Sequence, residues 1–349
     1  MKAFRMHGVG DVRLDDVPEP KAGPGEVILK PLYTGVCSTD LHILYTGAFV
    51  THLPITMGHE FSGEVVALGP DISWDDRYPH SQPLKIGDRV CVEPVLPCMK
   101  CYYCFRGQVN LCLNMSHLGI WEDGSLAEYV RAPASRCLRL PEALTDEEGA
   151  LTEVLACGVN FVEKGAIKPG DVVAVVGGGP MGQMAAMVAL VSGPQKLIMS
   201  ELSPERREVA RRMGVHVTIE AEKVDPVQAV RDLTGGRGAD VVMECVGVES
   251  SVQQALDMTR RGGRCVLGGL PVKPLNLDMK EVVFGEKQVV GAMASVWQFG
   301  RALDLILNHR VNPAGIIARE YPFEEAPEAL RTAHEERELC KLMIRQGSR

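Results

Sequence analysis

Val172-Val173-Ala174-Val175-Val176-Gly177-Gly178-Gly179-Pro180-Met181-Gly182 is the stretch whose reading decides the fold. Its opening residues are apolar and mostly β-branched, as in a buried strand; glycines then break it, and Gly182 to Ser192 suits a helix. Gly177, Gly179 and Gly182 thus spell G-x-G-x-x-G between a strand and a helix. The first glycine permits the tight turn, the second lets a pyrophosphate approach the backbone, and the third brings helix against strand. Alone the motif is weak. It gains weight from Glu201, about 20 residues on, where a carboxylate accepts hydrogen bonds from both hydroxyls of an adenosine ribose. A 2′-phosphate would face that carboxylate, which predicts NAD over NADP, while Arg206 and Arg207 keep NADP as the alternative. Val172 to Gln195 has no charged residue, and about 20 apolar residues would cross a bilayer. The internal glycines and Pro180 argue against that reading.

Outward from this point the pattern repeats. Lys196–Ser200, Val241–Cys245 and Arg264–Leu267 read as strands, with Pro204–Met213 and Ser250–Arg261 as helices between them. Such alternation predicts a doubly wound parallel sheet, an α/β fold. Upstream the chain breaks into short strands separated by Gly and Pro: Val27–Lys30, Phe61–Leu68, Arg89–Val92 and Ala127–Val130, a β-rich barrel-like domain. Downstream, Gln298–His309 has a helical pattern and Phe323–Arg331 follows, a return to mixed elements that predicts packing back onto the first domain. Residues 70–84 make a polar loop too long for a plain turn.

A chain of 349 residues suits two domains, each with its own core. Its net charge of −8, with Lys and Arg spread along the chain, offers no basic stripe for a phosphate backbone, which counts against nucleic acid. Met1 to Gly10 carries Lys2 and Arg5 and no apolar run, so neither a signal peptide nor a lipid anchor is expected and the cytoplasm is the expected location.

Cys98, Cys101, Cys104 and Cys112 carry the second strong signal. Their two-residue gaps let neighbouring thiolates turn back on one loop, and the seven-residue gap returns a fourth, closing a tetrahedral site. Zinc is the favoured ion, with an iron–sulfur cluster as the competing reading. Cys91, Cys137, Cys157, Cys245, Cys265 and Cys340 are scattered, as in a reduced interior rather than a disulfide framework. A closed site binds without reacting; an open one reacts. Taken singly, Cys37 reads as a small buried hydrophobe and His59 as a structural group.

Gly35-Val36-Cys37-Ser38-Thr39-Asp40-Leu41-His42, Gly58-His59-Glu60-Phe61-Ser62-Gly63, Gly87-Asp88-Arg89-Val90, the four-cysteine run, Gly177 to Gly182, and Asp240-Val241-Val242-Met243-Glu244-Cys245-Val246-Gly247 occur in that order over nearly the whole chain. Together they resemble the zinc-containing medium-chain alcohol dehydrogenases, most of all the polyol branch of sorbitol, threonine and butanediol dehydrogenases. The resemblance implies a GroES-like catalytic zinc-binding domain over residues 1–152 and 296–349 and an NAD-binding Rossmann domain over 153–295. It implies two zinc ions per chain: a structural one on Cys98, Cys101, Cys104 and Cys112, and a catalytic one on Cys37, His59 and Glu153, with Glu60 close enough to exchange with water or substrate. Glu153 stands where many members place a cysteine, and Val154 replaces the proline usual after that acid. Thr39 matches the hydroxyl that in relatives passes a proton along the nicotinamide ribose to His42. Cofactor contacts are implied for Gly177, Gly179, Pro180, Met181, Gly182, Glu201, Arg206, Val246 and Leu270.

The expected reaction is reversible oxidation of a secondary alcohol to a ketone, the hydroxyl activated as a zinc alkoxide and the hydride passing to NAD. Tyr45, Phe49, Trp121 and Trp297 are candidate pocket walls, with Met293 to Ser295 near the nicotinamide. The rivals are an L-threonine 3-dehydrogenase, an NADP-dependent alcohol dehydrogenase or ketone reductase, a silent relative, and a zinc-ribbon binding module. Expected partners are a small alcohol or ketone and further copies of the chain, as a homodimer or homotetramer joined near Val289 to Ala292, with no nucleic acid and no membrane.

Overall fold

The computed structural model describes residues 1–73, 80–295 and 297–347; of the 70–84 loop, residues 74–79 lie outside the described residues. Six strands form one parallel sheet in the spatial order Val217–Glu220, Lys196–Glu201, Val172–Val176, Ala239–Glu244, Thr259–Leu267, Gln288–Gly291. Chain order reverses between Val172–Val176 and Ala239–Glu244, the switch point at which such sheets bind ligands. Val172, Ala174 and Val176 enter one apolar cluster with Val252, Ala255 and Leu256, whereas Val173 and Val175 enter another with Met184, Ala185 and Leu155. Burial on both faces is why the strand reads as an unbroken apolar run. The helices Pro180–Val191, Pro204–Arg212 and Pro226–Leu233 each begin on proline, which fixes φ where no N–H is needed.

Two sequence expectations need correction here. The helix placed at Ser250–Arg261 runs Glu249–Met258, because Thr259 already belongs to the next strand, which carries on through Gly262 and Gly263. The strand placed at Ala127–Val130 lies at Val130–Pro133. Ala127 makes one isolated bridge to Ala3, and its carbonyl is taken by the Gln346 amide at 3.2 Å.

The second sheet is built around Glu26–Gly35, which pairs antiparallel with Glu60–Leu68, Val130–Pro133 and Lys341–Arg345. Lys341–Arg345 in turn pairs with Ile317–Pro322, so the C-terminal segment completes the N-terminal sheet. That pairing carries a late lysine, Lys341, against Val36 and Glu60 near the start of the chain.

A 20-residue helix, Asp146–Gly165, is the spine between the two sheets. Thr145 caps it, with Glu148 closing a capping box, and three acids occupy its first turn, where the helix dipole favours negative charge. Its side chains share one core with Tyr33, Cys91 and Leu138 of the mainly antiparallel sheet, with Val173, Met199 and Val266 of the parallel one, and with Phe299 and Leu303 of the helix Phe299–Leu307. Glu153 is therefore interior to this helix, not at its start. Among the described residues no helix is long and apolar enough to cross a membrane.

Candidate metal centres and nucleotide cradle

Cys98, Cys101, Cys104 and Cys112 bring all four sulfurs within 4.8 Å of one another. Cys101 Sγ lies 3.5 Å from Cys104 Sγ and 3.9 Å from Cys112 Sγ. Four bonds of about 2.3 Å to one tetrahedral ion would set sulfurs about 3.8 Å apart. The set thus fits a single zinc, and sulfurs serving different irons of a cluster would stand wider. No disulfide forms among the described cysteines. The lobe docks through polar contacts: Asn110 Nδ2 donates to the Met293 carbonyl at 2.8 Å and Trp297 Nε1 to the Gly107 carbonyl at 3.0 Å. Trp297 also lies under the Arg136 guanidinium, 5.2 Å from its ring centre, so it supports the lobe.

The second donor set is Cys37, His59 and Glu60, again within 4.8 Å of one another. Cys37 is the N-cap of the helix Ser38–Thr46, and its sulfur accepts from the Thr39 N–H at 3.4 Å. Sulfur is a soft donor of the kind zinc takes. Asp40 completes the capping box by accepting from the Cys37 N–H at 2.9 Å, while its other oxygen stands 3.2 Å from His59 Nδ1. One acid thereby holds the helix start and orients the imidazole, as carboxylates do behind metal-binding histidines. Burial works against charge on His59, yet Asp40 and Cys37 raise its pKa well above the ordinary value. A thiol, an imidazole and a carboxylate this close together are donors that zinc takes.

Glu60 and Lys341 form a fully buried ion pair, and Lys341 Nζ also donates to the Val36 carbonyl at 2.9 Å. Glu153 stands outside the mutual 4.8 Å set. It is nonetheless close enough that burial, followed by the Glu60 carboxylate, pushes its pKa up to about 7. Cys157, one turn along the same helix, donates to Glu153 Oε1 at 3.5 Å. Thr39 and His42 share a face of Ser38–Thr46, three residues apart, and burial followed by the Arg337 charge lowers the His42 pKa.

The glycine loop has the form a dinucleotide needs. Gly177 adopts φ +94°, a left-handed conformation, and a methyl there would strike Val246. A methyl on Gly182 would strike the Gly177 carbonyl, whereas Gly179 has open space, with Arg206 Nη1 at 3.6 Å as its nearest neighbour. Gly179 caps Pro180–Val191 without any side-chain bond, leaving the first-turn N–H groups of Met181 and Gly182 for an anion. Glu201 accepts from Gly178 N–H and, at 2.8 Å, from Ser203 N–H. Arg206 Nη2 donates to the Leu339 carbonyl at 3.0 Å. Val246 and Leu270 are both partly exposed on the two loops that meet at Gly247 and Gly269. The residues present fit both zinc and a nicotinamide dinucleotide.

Asn160, two turns beyond Glu153, donates to the Ala294 carbonyl at 2.8 Å and to the Met293 carbonyl at 3.3 Å. Of the expected pocket aromatics, Trp121 donates Nε1 to the Phe49 carbonyl at 2.9 Å, and Tyr45 stacks on His334 with ring centres 3.8 Å apart. Sequence reading passed over Lys341, Cys157, Asn160 and His117. Lys341 left a trace, a lone charge inside the apolar run Cys340 to Ile344. His117 left none; its ring lies edge-on to His59, and burial followed by the His59 charge lowers its pKa to about 3.

Comparison with known proteins agrees with this geometry. Residues 23–142 match the alcohol dehydrogenase GroES-like domain and residues 180–308 the zinc-binding dehydrogenase domain. A sorbitol dehydrogenase of Halalkalibacterium halodurans is 36% identical over 93% of this chain and 94% of its own length. The crystal structure of 2R,3R-butanediol dehydrogenase from Bacillus subtilis superposes with a TM-score of 0.89 at 30% identity, covering 99% of both chains. A zinc-binding dehydrogenase from Sinorhizobium meliloti bound to NADP gives the same TM-score and identity over 99% of this chain and 98% of its own. Matched domain by domain and nearly end to end, the chain belongs to the zinc-containing medium-chain alcohol dehydrogenase family, in its polyol branch.

Proposed function

We propose that the protein is an NAD-dependent dehydrogenase that reversibly oxidises a secondary hydroxyl of a small polyol or diol to a ketone. One observation supports the reading above the others: on the helix Asp146–Gly165, Glu153 feels the Glu60 and His59 charges while Asn160, further along, donates to the Met293 and Ala294 carbonyls. Seven residues of helix separate these two side chains by about 10 Å. Cys37, His59 and Glu153 would hold the catalytic zinc, with Glu60 as the exchangeable neighbour, and Cys98, Cys101, Cys104 and Cys112 a second, structural zinc. When bound, the zinc acts as a Lewis acid on the substrate hydroxyl and the nicotinamide accepts hydride.

The chain's own residues do the rest. Asp40 stands against the His59 ring, and Lys341 pairs with Glu60 beside it. Thr39 takes the hydroxyl proton at its Oγ1, and His42, half-buried one turn on, passes it outward. Gly177, Gly179, Pro180, Met181 and Gly182 cradle the pyrophosphate, Glu201 and Arg206 the adenosine ribose, and Val246 and Leu270 flank the cofactor. The Glu201 carboxylate favours NAD, while Arg206 beside Gly179 is the observation that favours NADP.

Turnover of sorbitol, xylitol, 2,3-butanediol, threonine and simple alcohols with each dinucleotide tests the proposal. Secondary polyols or diols with NAD should give the highest kcat/KM; activity confined to primary aliphatic alcohols, or to threonine, would overturn it.

We also infer a cytoplasmic homodimer or homotetramer joined near Val289 to Ala292, at the edge strand Gln288–Gly291, where Val289 is exposed, as are Val283 and Phe284 on the preceding helix. An unpaired edge of this kind invites a second strand. Light scattering at micromolar concentration should give at least twice the chain mass, and a monomer there would contradict the inference.

A further inference from the structure

His117 has no part in the chemistry above, yet it lies against it. Its ring centre is 5.4 Å from that of His59 and 6.5 Å from that of Trp121, edge-on to both. The strand Ser116–His117, paired with Val95–Leu96, holds it in place. Its Nδ1 stands 2.7 Å from the Leu118 carbonyl oxygen, and because a carbonyl only accepts, Nδ1 carries a proton. The tautomer is thereby fixed and Nε2 is left as the free end. Among the described residues Nε2 has no partner, although the residue is only 7% exposed. Nε2 is nevertheless not sealed from solvent, so a ligand or water can reach it and supply the missing partner.

We propose that His117 Nε2 hydrogen-bonds a second hydroxyl of the substrate and so selects diols and polyols over monohydroxy alcohols; the inference rests on the polyol activity proposed above. A hydroxyl both donates and accepts, so the contact forms whichever way the proton lies. The position suits the task. A group bound beside His59 lies within one side chain's reach of His117, whose ring centre is 5.4 Å from that of His59. Trp121 stands edge-on to the same ring, held by its bond to the Phe49 carbonyl.

The test is steady-state kinetics of His117→Phe and His117→Gln on 2,3-butanediol and 2-butanol, with zinc content and thermal melts alongside. In the phenylalanine variant the diol-to-butanol ratio of kcat/KM should fall roughly ten- to a hundredfold, mainly through KM on the diol, as for loss of one buried hydrogen bond. Glutamine, which keeps a polar end, should recover part of that ratio, with zinc per chain matching the parent in both. An unaltered ratio, equal losses on both alcohols, or lost zinc in the glutamine variant would overturn the inference. A parent enzyme that shows no preference for the diol overturns the polyol reading and this inference together; a parent that prefers it beside a variant that still does overturns the inference alone.

Discussion

Replacing Cys37 by serine is expected to remove one of two zinc equivalents per chain and to lower kcat/KM by roughly a thousandfold, about 4 kcal/mol of transition-state stabilisation. The reasons lie in the local structure. Cys37 caps a helix and its sulfur accepts from the Thr39 N–H; sulfur is a soft donor that zinc takes readily, whereas a serine hydroxyl in the same place is a poor zinc ligand. The helix should survive, because serine is itself a good N-cap and Asp40 still completes the box. Elemental analysis beside kinetics checks the expectation: both zincs retained, or activity within tenfold of the parent, would refute it. Cys98→Ser should show the opposite balance, a loss of lobe zinc and thermal stability with the catalytic zinc still bound. A stable, fully folded but inactive Cys98→Ser protein would contradict that separation.

Lys341→Met should destabilise the fold by about 3–5 kcal/mol, the usual consequence of stripping one partner from a buried ion pair. Lys341 and Glu60 are each almost fully buried, and no other cation is paired with Glu60 among the described residues. Burial alone would lower the Lys341 pKa, but Glu60 and Cys37 outweigh it and raise it above the ordinary value. A raised lysine pKa stabilises below the unfolded-state value and that stabilisation is lost only as pH climbs through the folded one, so the lysine's contribution is present throughout the neutral range. The double variant Glu60→Gln with Lys341→Met removes both charges and should regain much of the lost stability. Denaturant melts of the four proteins form a double-mutant cycle; additive losses would show that the two residues are not coupled.

Much of this was legible without a structure because it is written in local spacing. Four cysteines within fifteen residues, counted from Cys98 to Cys112, can meet only on one loop, and a glycine pattern between a strand and a helix has one common use. The helix Asp146–Gly165 was harder to read. It is apolar on most of its circumference because it is buried between two sheets, so it lacks the one-sided stripe by which a surface helix is recognised. Val217–Glu220 and Pro226–Leu233 were missed for a different reason: they are short, and only their neighbours in the sheet define them.

The sequence by itself determined the donor types, the nucleotide loop, the alternation that makes a doubly wound sheet, and the family these imply. Tertiary structure alone decided which residues meet across long separations. Lys341 reaches Glu60 because the C-terminal strand pairs with Glu26–Gly35, and His117 reaches His59 because Ser116–His117 pairs with Val95–Leu96 across the four-cysteine lobe. It also decided that Glu153 lies in mid-helix, outside the close set of Cys37, His59 and Glu60. The physical reason is the same in each case. Ligand chemistry and turn geometry act over a few residues and leave a mark in the sequence, whereas a buried charge or an unpartnered nitrogen takes its meaning from atoms that only strand pairing brings near.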